Sequence, residues 1–372
     1  MNVRAITTTQ EWDAIADSWD SLLSDSVTSN VFLTYDWMRT WWDYYGDNKA
    51  VIILIAEDKK GICGIAPLYI AKERTVFGIY EKVIRFIGDE GVGSDFLEMI
   101  IHPRRLVDTI TAIFEYLWKE IEWDRMCLQS VDGYSPCHTI LFVKAERMGA
   151  VVRRNIHNIC PVMVLPESLA EFNLQHDRGF KHIIVQKDLR NIKKDFPDIK
   201  FEDVGIDDDV SEYIEHFFAL HEERWKLSGQ SGNFYDKRKR AFYRKIAQIM
   251  LPKKRLRLSY LYFDNKIEMI EFDLVYADSY YFLQSGISTK GLRYKAGNIL
   301  FYLLLNDMMG KYKQIEFLRG DELYKYYLGC MNRYTLKIDI AKSLMGRLSC
   351  AFSILFAGLR TAARFILGKK RN

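Results

Sequence analysis

The chain has 372 residues, 49% of them hydrophobic and 27% charged, which is long enough for two folded domains and excludes a disordered or low-complexity protein. A formal charge of +4 is too small to indicate nucleic-acid binding, so DNA is not an expected partner. The six cysteines have no CxxC pair and no repeated spacing, which argues against a disulfide framework and against a metal site.

The first half predicts helices, strands, a helix and a strand, in that order. Apolar residues recur at helical spacing in 7–26, with Thr9 as the expected N-cap, and a second helix is predicted in 32–46. An antiparallel hairpin, a strand stopped by Pro103, a helix and a further strand follow, over 50–58 with 61–73, 96–103, 104–121 and 124–131. The N-terminal residues lack the apolar run of a secretory signal, so the expected compartment is the cytoplasm.

The second half repeats this order. Helices are predicted in 180–196, 207–229 and 237–251, three strands between 255 and 287, a helix in 297–310 and a strand in 313–320. The chain therefore reads as two copies of one α+β module, each a mixed twisted sheet flanked by helices, with predicted bounds of 1–150 and 151–340. Residues 341–372 form a separate tail.

Five segments carry a resemblance to a known superfamily: "VFLTYDWMRTWWDYYG", "GICGIAPLYI", "GSDFLEMIIHP", "HEERWKLSGQSGNF" and "GNILFYLLLNDMMGKYKQIEFLRGDELYK". In this order and separation they resemble the GNAT acyltransferases, and more closely the branch related to cellulose-biosynthesis CelD proteins and FemAB-type peptidyltransferases. That branch holds two tandem GNAT-like modules. The resemblance implies transfer of an acyl group from a CoA thioester, acetyl-CoA or longer, to an amine or hydroxyl.

GNAT modules bind the CoA pyrophosphate at a glycine-rich turn that opens a helix, where unpaired N–H groups and the helix dipole favour an anion. The corresponding stretch here is "TKGLRYKAGNILFYLLL", which departs from the usual Q/R-x-x-G-x-G/A pattern. The resemblance implies cofactor-binding roles for five residues in it: Gly291, Arg293, Lys295, Gly297 and Asn298. From the residues alone, a loop whose glycine simply begins a helix is an equal alternative.

A histidine on the apolar face of the long second-half helix is a candidate general base. His221 lies one turn from Trp225, and imidazole titrates near neutrality. Arg224 and Trp225 are candidates for substrate binding in the same cleft. The alternative is a buried core histidine and tryptophan beside a solvated arginine.

The glycine-rich stretch "GDEGVGSDFLEMII" places Asp95 at the predicted edge of a strand, where a carboxylate can orient or deprotonate an acceptor. In a regular strand Glu98 lies on the opposite side, as a candidate substrate-binding residue. The alternative is a turn stabilised by an aspartate.

"FLRGDELYKYYLG" follows a strand at the position where GNAT modules separate two parallel strands to admit the pantetheine arm of CoA. Gly320 allows the chain to turn sharply, and Tyr324 and Lys325 are predicted to line the cleft as catalytic residues, since a tyrosine hydroxyl can protonate a departing thiolate. A tyrosine-rich helix packed on the sheet is the alternative.

The tail has no acidic residue after Asp339 and carries seven cations around an apolar stretch at 348–359, which is too short to cross a bilayer. It is typical of a basic amphipathic helix at an anionic membrane surface. The resulting hypothesis is a cytoplasmic acyltransferase of cell-envelope or exopolysaccharide biosynthesis, peripheral at the inner face of the membrane, with a small-molecule, sugar or peptide acceptor. Alternatives are FemAB-like aminoacyl transfer from tRNA and a non-catalytic scaffold at the membrane.

Overall fold

The computed structural model describes residues 1–75, 78–175, 182–227, 229 and 232–352. Its strands join one large mixed sheet, in which adjacent strands are mostly antiparallel. In chain order the strands are β1 (Asn2–Ile6), β2 (Lys49–Asp58), β3 (Gly61–Arg74), β4 (Tyr80–Phe86), β5 (Ile100–Ile101), β6 (Arg125–Asp132), β7 (Val151–Val164), β8 (Lys200–Asp203), β9 (Leu256–Phe263), β10 (Lys266–Tyr276), β11 (Ser279–Ile287), β12 (Gln314–Glu316) and β13 (Met331–Ala341).

Helices cover both faces of this sheet and place the apolar residues of the strands in its core. In chain order they are α1 (Thr9–Asp13), α2 (Ala16–Asp25), α3 (Tyr35–Tyr45), α4 (Leu106–Glu120), α5 (Pro136–Arg147), α6 (Leu169–Gln175), α7 (His182–Asp195), α8 (Val210–Leu227), α9 (Lys237–Met250), α10 (Thr289–Arg293), α11 (Ala296–Met308) and α12 (Leu323–Tyr327). Short 3₁₀ turns occupy Val31–Leu33 and Pro103–Arg105.

The strand order repeats from each edge of the sheet towards its centre, where strands from the two halves of the chain are exchanged. From one edge to the other the order is β1-β2-β3-β4-β6-β13-β7-β12-β11-β10-β9-β8, with β5 beside β3. Each half of the sheet has four strands and a short parallel pairing to a fifth, and the two halves meet at two central strands, β13 and β7. The last strand of the chain, β13, pairs with β6 of the first module, and β7 pairs with β12 of the second. The central strands therefore tie the two halves together.

Most predicted elements are confirmed, including the hairpin β2–β3, the antiparallel strands β9, β10 and β11, and helices α8, α9 and α11. The strand expected over 96–103 is wrong in extent, because only Ile100–Ile101 pairs as a strand. The first helix is broken into α1 and α2, and its N-cap is Thr8 rather than Thr9, since the Thr8 side chain accepts a hydrogen bond from the Glu11 amide.

The two modules share one hydrophobic core, in which α3 of the first packs on α9 of the second. The rings of Trp37 and Phe242 meet edge to face with centroids 5.0 Å apart. Lys253 donates to both carboxylate oxygens of Asp36, at 2.9 and 2.7 Å. This packing fixes the position of the first module against the helices of the second.

The predicted amphipathic tail lies largely outside the described residues. Residues 344–352 are helical, and the apolar stretch predicted at 348–359 extends beyond them. Among the described residues, no helix has the length and apolar character that a membrane span requires.

A candidate acyl-transfer site in the second module

Strands β11 and β12 run parallel for only three residue pairs and then separate. Pairing ends at Tyr281 with Glu316. Leu283 forms a bulge against β10, because Phe272 pairs with Gln284 and Asp273 with Phe282. Beyond the bulge, residues 284–287 have β10 as their only strand partner within the described part of the chain. The opposite edge of β11 is therefore open.

After its pairing with β11 ends, the chain that follows β12 stays beside β7, since the Phe317 amide donates to the Pro161 carbonyl at 3.0 Å. Leu318 and Gly320 have φ angles of +53° and +122°, and the second of these favours glycine. The Gly320 amide donates to the Ile159 carbonyl on β7 at 3.0 Å, which anchors the turn. At the point of separation, the rings of Phe282 and Phe317 stack with centroids 5.4 Å apart. We refer to the interval between β11 and β12 beyond this pairing as the slot, and the Phe282–Phe317 pair lies at its start.

Lys325 holds the turn that closes this slot. It is buried, and its ammonium donates to the carbonyls of Phe317 and Gly320, at 3.3 and 2.9 Å, and pairs with Glu322 at 2.8 Å. These three contacts match the three donors of an ammonium group. The neighbouring Tyr324 is 56% exposed and accessible to a ligand. The geometry thus gives Lys325 a positioning contact to the turn, and within the described residues the Tyr324 hydroxyl makes no hydrogen bond.

The two glycines between β11 and the first turn of α11 differ in the space around them: Gly291 is packed against backbone, whereas Gly297 has room for a side-chain carbon. A Cβ on Gly291 would lie 2.6 Å from the Glu268 carbonyl oxygen, and the Gly291 amide already donates to Ser288 Oγ at 2.8 Å. A Cβ on Gly297 would have no neighbour closer than 3.8 Å. Gly297 lies in the first turn of α11, whose N-cap residue, Lys295, makes no side-chain cap. The Asn298 amide already donates to the Lys295 carbonyl at 3.0 Å, so it is the open position at Gly297 that this helix terminus offers to a phosphate group.

The two basic side chains of this turn differ in their surroundings. Lys295 pairs with Asp188 on α7, with Nζ to Oδ2 at 3.2 Å. Arg293 has its guanidinium carbon 5.9 Å from the ring centroid of Tyr294 and is the more available of the two for a phosphate.

His221 is buried against the open segment of β11. Its Nε2 accepts a hydrogen bond from the Trp225 indole at 3.0 Å, and because an indole N–H only donates, the imidazole proton must reside on Nδ1. Burial lowers the pKa of His221 to about 4, and a hydrogen bond to the Gln284 side chain opposes this shift. The imidazole is therefore neutral at pH 7, with its basic nitrogen already occupied.

Arg224 and Glu271 lie at the open edge of β11. The sequence analysis predicts a role for Arg224 and none for Glu271. Arg224 Nη1 donates to Ser285 Oγ at 3.1 Å, and Ser285 pairs across the ladder with Glu271. Burial and the nearby Asp273 raise the pKa of Glu271 well above its ordinary value, and Arg224 opposes this shift. The described residues offer the Glu271 carboxylate no hydrogen bond or ion pair. Its signal in the sequence is an acid inside the apolar strand "IEMIEFDLVY".

Asp95 is fully buried at the contact of the two modules. It accepts from Arg319 Nε and Nη2 at 3.2 and 3.0 Å, and Nη2 also donates to the Ser94 carbonyl at 2.7 Å. Glu98 is buried as well, because the strand predicted here is irregular, and its Oε1 accepts from the Met99 amide at 3.0 Å. Burial raises the pKa of Glu98 to about 8. The structure therefore brings Asp95 to the second module through Arg319 and leaves Glu98 within the first.

The equivalent slot of the first module is filled by its own chain. β4 and β6 pair in parallel only at Val83–Arg125 and Ile84–Met126. Beyond them, Leu97 bridges to Val131, and its amide donates to the Ser130 carbonyl at 2.9 Å. We refer to residues 94–99 as the plug. Its backbone is held from the other side by Asn30 and Thr28, which donate to the carbonyls of Phe96 and Met99 at 3.0 and 2.8 Å.

Comparison with known proteins agrees with this geometry. Residues 185–326, which include the open slot and α11, match the family model described as an acetyltransferase (GNAT) domain. The match to the GNAT acetyltransferase domain is thus confined to these residues. A comparison with curated proteins returns no match.

Several solved structures share the fold of the whole chain. FemX matches with a TM-score of 0.62 at 8% identity, covering 91% of this chain and 97% of its own. A conserved protein from Bacteroides thetaiotaomicron matches with a TM-score of 0.54 at 12% identity, covering 88% and 97%. A C-terminal domain described as that of a lysylphosphatidylglycerol synthetase, from Agrobacterium fabrum, matches with a TM-score of 0.52 at 10% identity, covering 92% and 96%. These identities support similarity of fold.

Within the described residues, no group of three or more His, Cys, Asp or Glu side chains is arranged to hold a metal ion.

Proposed function

We propose that the second module transfers an acyl group from a CoA thioester to an amine or hydroxyl acceptor. The observation that carries this proposal is the contrast between the two slots: β11 has an open edge beside an open helix terminus, whereas the plug fills the first module's slot. An extended pantetheine arm carries amide groups that can pair with an open strand edge, as an added strand does. The first turn of α11 then faces the pyrophosphate.

In the proposed reaction, the acceptor nitrogen or oxygen attacks the thioester carbonyl carbon and the carbon–sulfur bond breaks. The acceptor loses one proton to a base, and the departing thiolate takes one proton from an acid. Tyr324 remains our candidate acid; the residue is partly exposed, and burial of its phenol raises its pKa. Backbone donors of the open strand edge can stabilise the oxygen on which negative charge develops.

We propose Glu271 as the base. Its carboxylate has a raised pKa and lies across the ladder from Ser285 at the open edge. The earlier candidates stay predictions, but both have their basic atoms engaged, His221 with Trp225 and Asp95 with Arg319. Glu271→Gln should slow release of CoA thiol, in the presence of a panel of amines and amino sugars, by about 100-fold or more. The matched variant His221→Asn should retain this activity; the opposite result would return the role to His221.

A role at the cell envelope is the finer part of the proposal. It is supported by the basic tail after Asp339 and by fold similarity to proteins named FemX and lysylphosphatidylglycerol synthetase. We infer a small-molecule, sugar or peptide acceptor in cell-envelope or exopolysaccharide biosynthesis, with the enzyme on the cytoplasmic face of the membrane. The CelD-like assignment belongs to this finer part.

The second candidate function is aminoacyl transfer from tRNA. It is favoured by the departure of the phosphate turn from the usual Q/R-x-x-G-x-G/A pattern. In this turn the Gly291 amide already donates to Ser288 Oγ, and Lys295 is paired with Asp188. Both features reduce what the turn offers to a CoA pyrophosphate and leave the slot itself available for another activated acyl donor.

Hydrogen exchange on the full chain tests the donor directly. Acetyl-CoA should slow amide exchange in residues 283–299 and leave residues 83–99 unchanged. Gly297→Trp should abolish this protection, while Gly297→Ala should keep it, because the position has room for one carbon.

Other outcomes would contradict the CoA proposal. Protection by charged tRNA, and not by acetyl-CoA or a longer acyl-CoA, would support the second candidate. Binding of neither donor, together with vesicle pelleting that depends on residues 341–372, would indicate the scaffold instead.

A further inference from the structure

We propose that Lys239 and Arg319 form a binding site for an anionic group of the acceptor, a phosphate or a carboxylate, where the two modules meet. The site deepens the proposed function, since it names the chemistry that the acceptor must carry. It is distinct from the phosphate turn at α11, because it lies on the α9 side of the sheet beside the plug.

Lys239 is a buried cation without an acidic contact. It is 8% exposed, and its ammonium lies 5.1 Å from the ring centroid of Phe234 and 5.9 Å from that of Tyr243. The described residues offer it no hydrogen-bond acceptor or carboxylate within contact distance. Burial, and next the nearby Arg319, lower the pKa of Lys239 to about 8, with Asp236 opposing. An uncompensated buried charge is costly, and an anion removes that cost when it binds.

Arg319 supplies the second half of the site. Its Nε and Nη2 hold Asp95 and the Ser94 carbonyl, while Nη1 has no partner within the described chain. The side chain is 44% exposed although its carboxylate partner is fully buried, so the free edge of the guanidinium faces solvent. Asp95 neutralises Arg319, which leaves Lys239 as the uncompensated positive charge.

The site lies beside the place where acyl transfer is proposed. Tyr243, one turn after Lys239 on α9, donates from its hydroxyl to the Val92 carbonyl at 3.0 Å. A Cβ on the next residue, Gly93, would lie 3.8 Å from Leu283 Cδ1, at the bulge of β11. An anion held by Lys239 and Arg319 therefore places the rest of the acceptor near the open edge of β11.

Binding of small anions to the full chain tests this site. Inorganic phosphate and acetate are each exchanged for chloride at constant ionic strength. At least one of the two anions should raise the melting temperature of the wild-type protein. The arm that responds identifies the anion as a phosphate or a carboxylate. Lys239→Met should weaken that binding at least tenfold by calorimetry, and Lys237→Met, an exposed lysine on the same helix, should leave it unchanged.

A second pair of variants separates this site from the donor slot. Gly297→Trp should lose acetyl-CoA and keep the small anion, whereas Lys239→Met should keep acetyl-CoA and lose the anion. Failure of the wild type to bind either anion, or equal binding by Lys239→Met, would overturn the site without affecting the donor assignment. Loss of acetyl-CoA binding in every form, with anion binding intact, would instead overturn the proposed function.

Discussion

The two modules have the same strand order but differ in one segment after their fourth strand. In the first module the chain returns along β6 as the plug, with Leu97 bridging to Val131. In the second module it passes directly into α10 and α11, and β11 keeps an open edge. The same fold thus gives a filled slot that contacts the partner module through Asp95 and an open slot that can receive a donor.

Breaking the ion pair between Asp95 and Arg319, which joins the two modules, should lower the free energy of unfolding more than any other change considered below. Asp95→Ala leaves the Arg319 guanidinium without its buried partner and should lower the free energy of unfolding by about 4 kcal/mol. Urea denaturation measures it. Asp321→Ala, at an exposed position two residues after Arg319, should change stability by less than about 0.5 kcal/mol. Equal losses in the two variants would show that the ion pair does not link the modules.

Emptying the plug should cost stability without creating a second donor site. Leu97 is fully buried, so Leu97→Ala should lower the free energy of unfolding by about 3 kcal/mol. The exposed Val107→Ala serves as the control and should have little effect. Acetyl-CoA binding should stay at one site per chain, because in the first module the plug, β5 and a 3₁₀ turn separate β4 from the next helix, α4, whereas β11 is followed directly by α10 and α11. A second binding site in Leu97→Ala would show that the plug alone separates the two slots.

The two glycines of the phosphate turn provide a matched pair. An alanine at 291 places a carbon 2.6 Å from a backbone oxygen and should cost about 2 to 3 kcal/mol, because backbone cannot easily move. An alanine at 297 meets nothing closer than 3.8 Å and should be neutral or slightly stabilising in the helix. Thermal denaturation compares the two. Similar stabilities would contradict the division between a packing glycine and a ligand-facing glycine.

The sequence predicts those parts of the fold that depend on neighbouring residues, and it does not predict pairing between distant strands. The helices and hairpins follow from apolar periodicity and turn residues, as in α9 and in β9–β10, and the repeat of their order predicts two modules. The exchange of β7 and β13 was not predicted, because pairing partners far apart in the chain leave no local signal. The plug was missed for the same reason: the irregular backbone after Phe96, with its φ of +56°, depends on contacts from Asn30 and Thr28.

The candidate site was predicted less completely than the fold. Tyr324, Gly297 and Arg224 lie around the open slot, whereas Lys325 and Gly291 are engaged in packing contacts. Lys239 was overlooked although its position is visible in the sequence. It belongs to the apolar stripe of α9, which contains Lys239, Phe242, Tyr243 and Ile246. A charge on a buried stripe indicates a candidate functional site, because burial without a counter-charge is unfavourable.

The positive charge of Lys239 should make the free energy of unfolding depend on pH. The pKa falls from 10.5 in the unfolded chain to about 8 in the folded one, which corresponds to a penalty of about 3 kcal/mol when the amine is protonated. Lys239→Met removes that penalty and also the contacts with the Phe234 and Tyr243 rings, so it should stabilise the unliganded protein by about 2 kcal/mol at pH 7.

The sign of the pH dependence follows from the direction of this shift. Between pH 8 and 10.5 the unfolded chain binds more protons at this residue than the folded chain, so the wild type gains stability as the pH rises. The advantage of Lys239→Met should therefore be full below pH 8 and disappear by about pH 10.5. The charged and titratable groups facing Lys239 are Arg319 with its partner Asp95, His221 on α8, Tyr243 on α9 and the N-cap residue Asp236. A stability difference that is constant from pH 7 to 10.5 would mean that Lys239 is compensated in the unliganded protein, and the site would then have no unpaired charge to offer an acceptor.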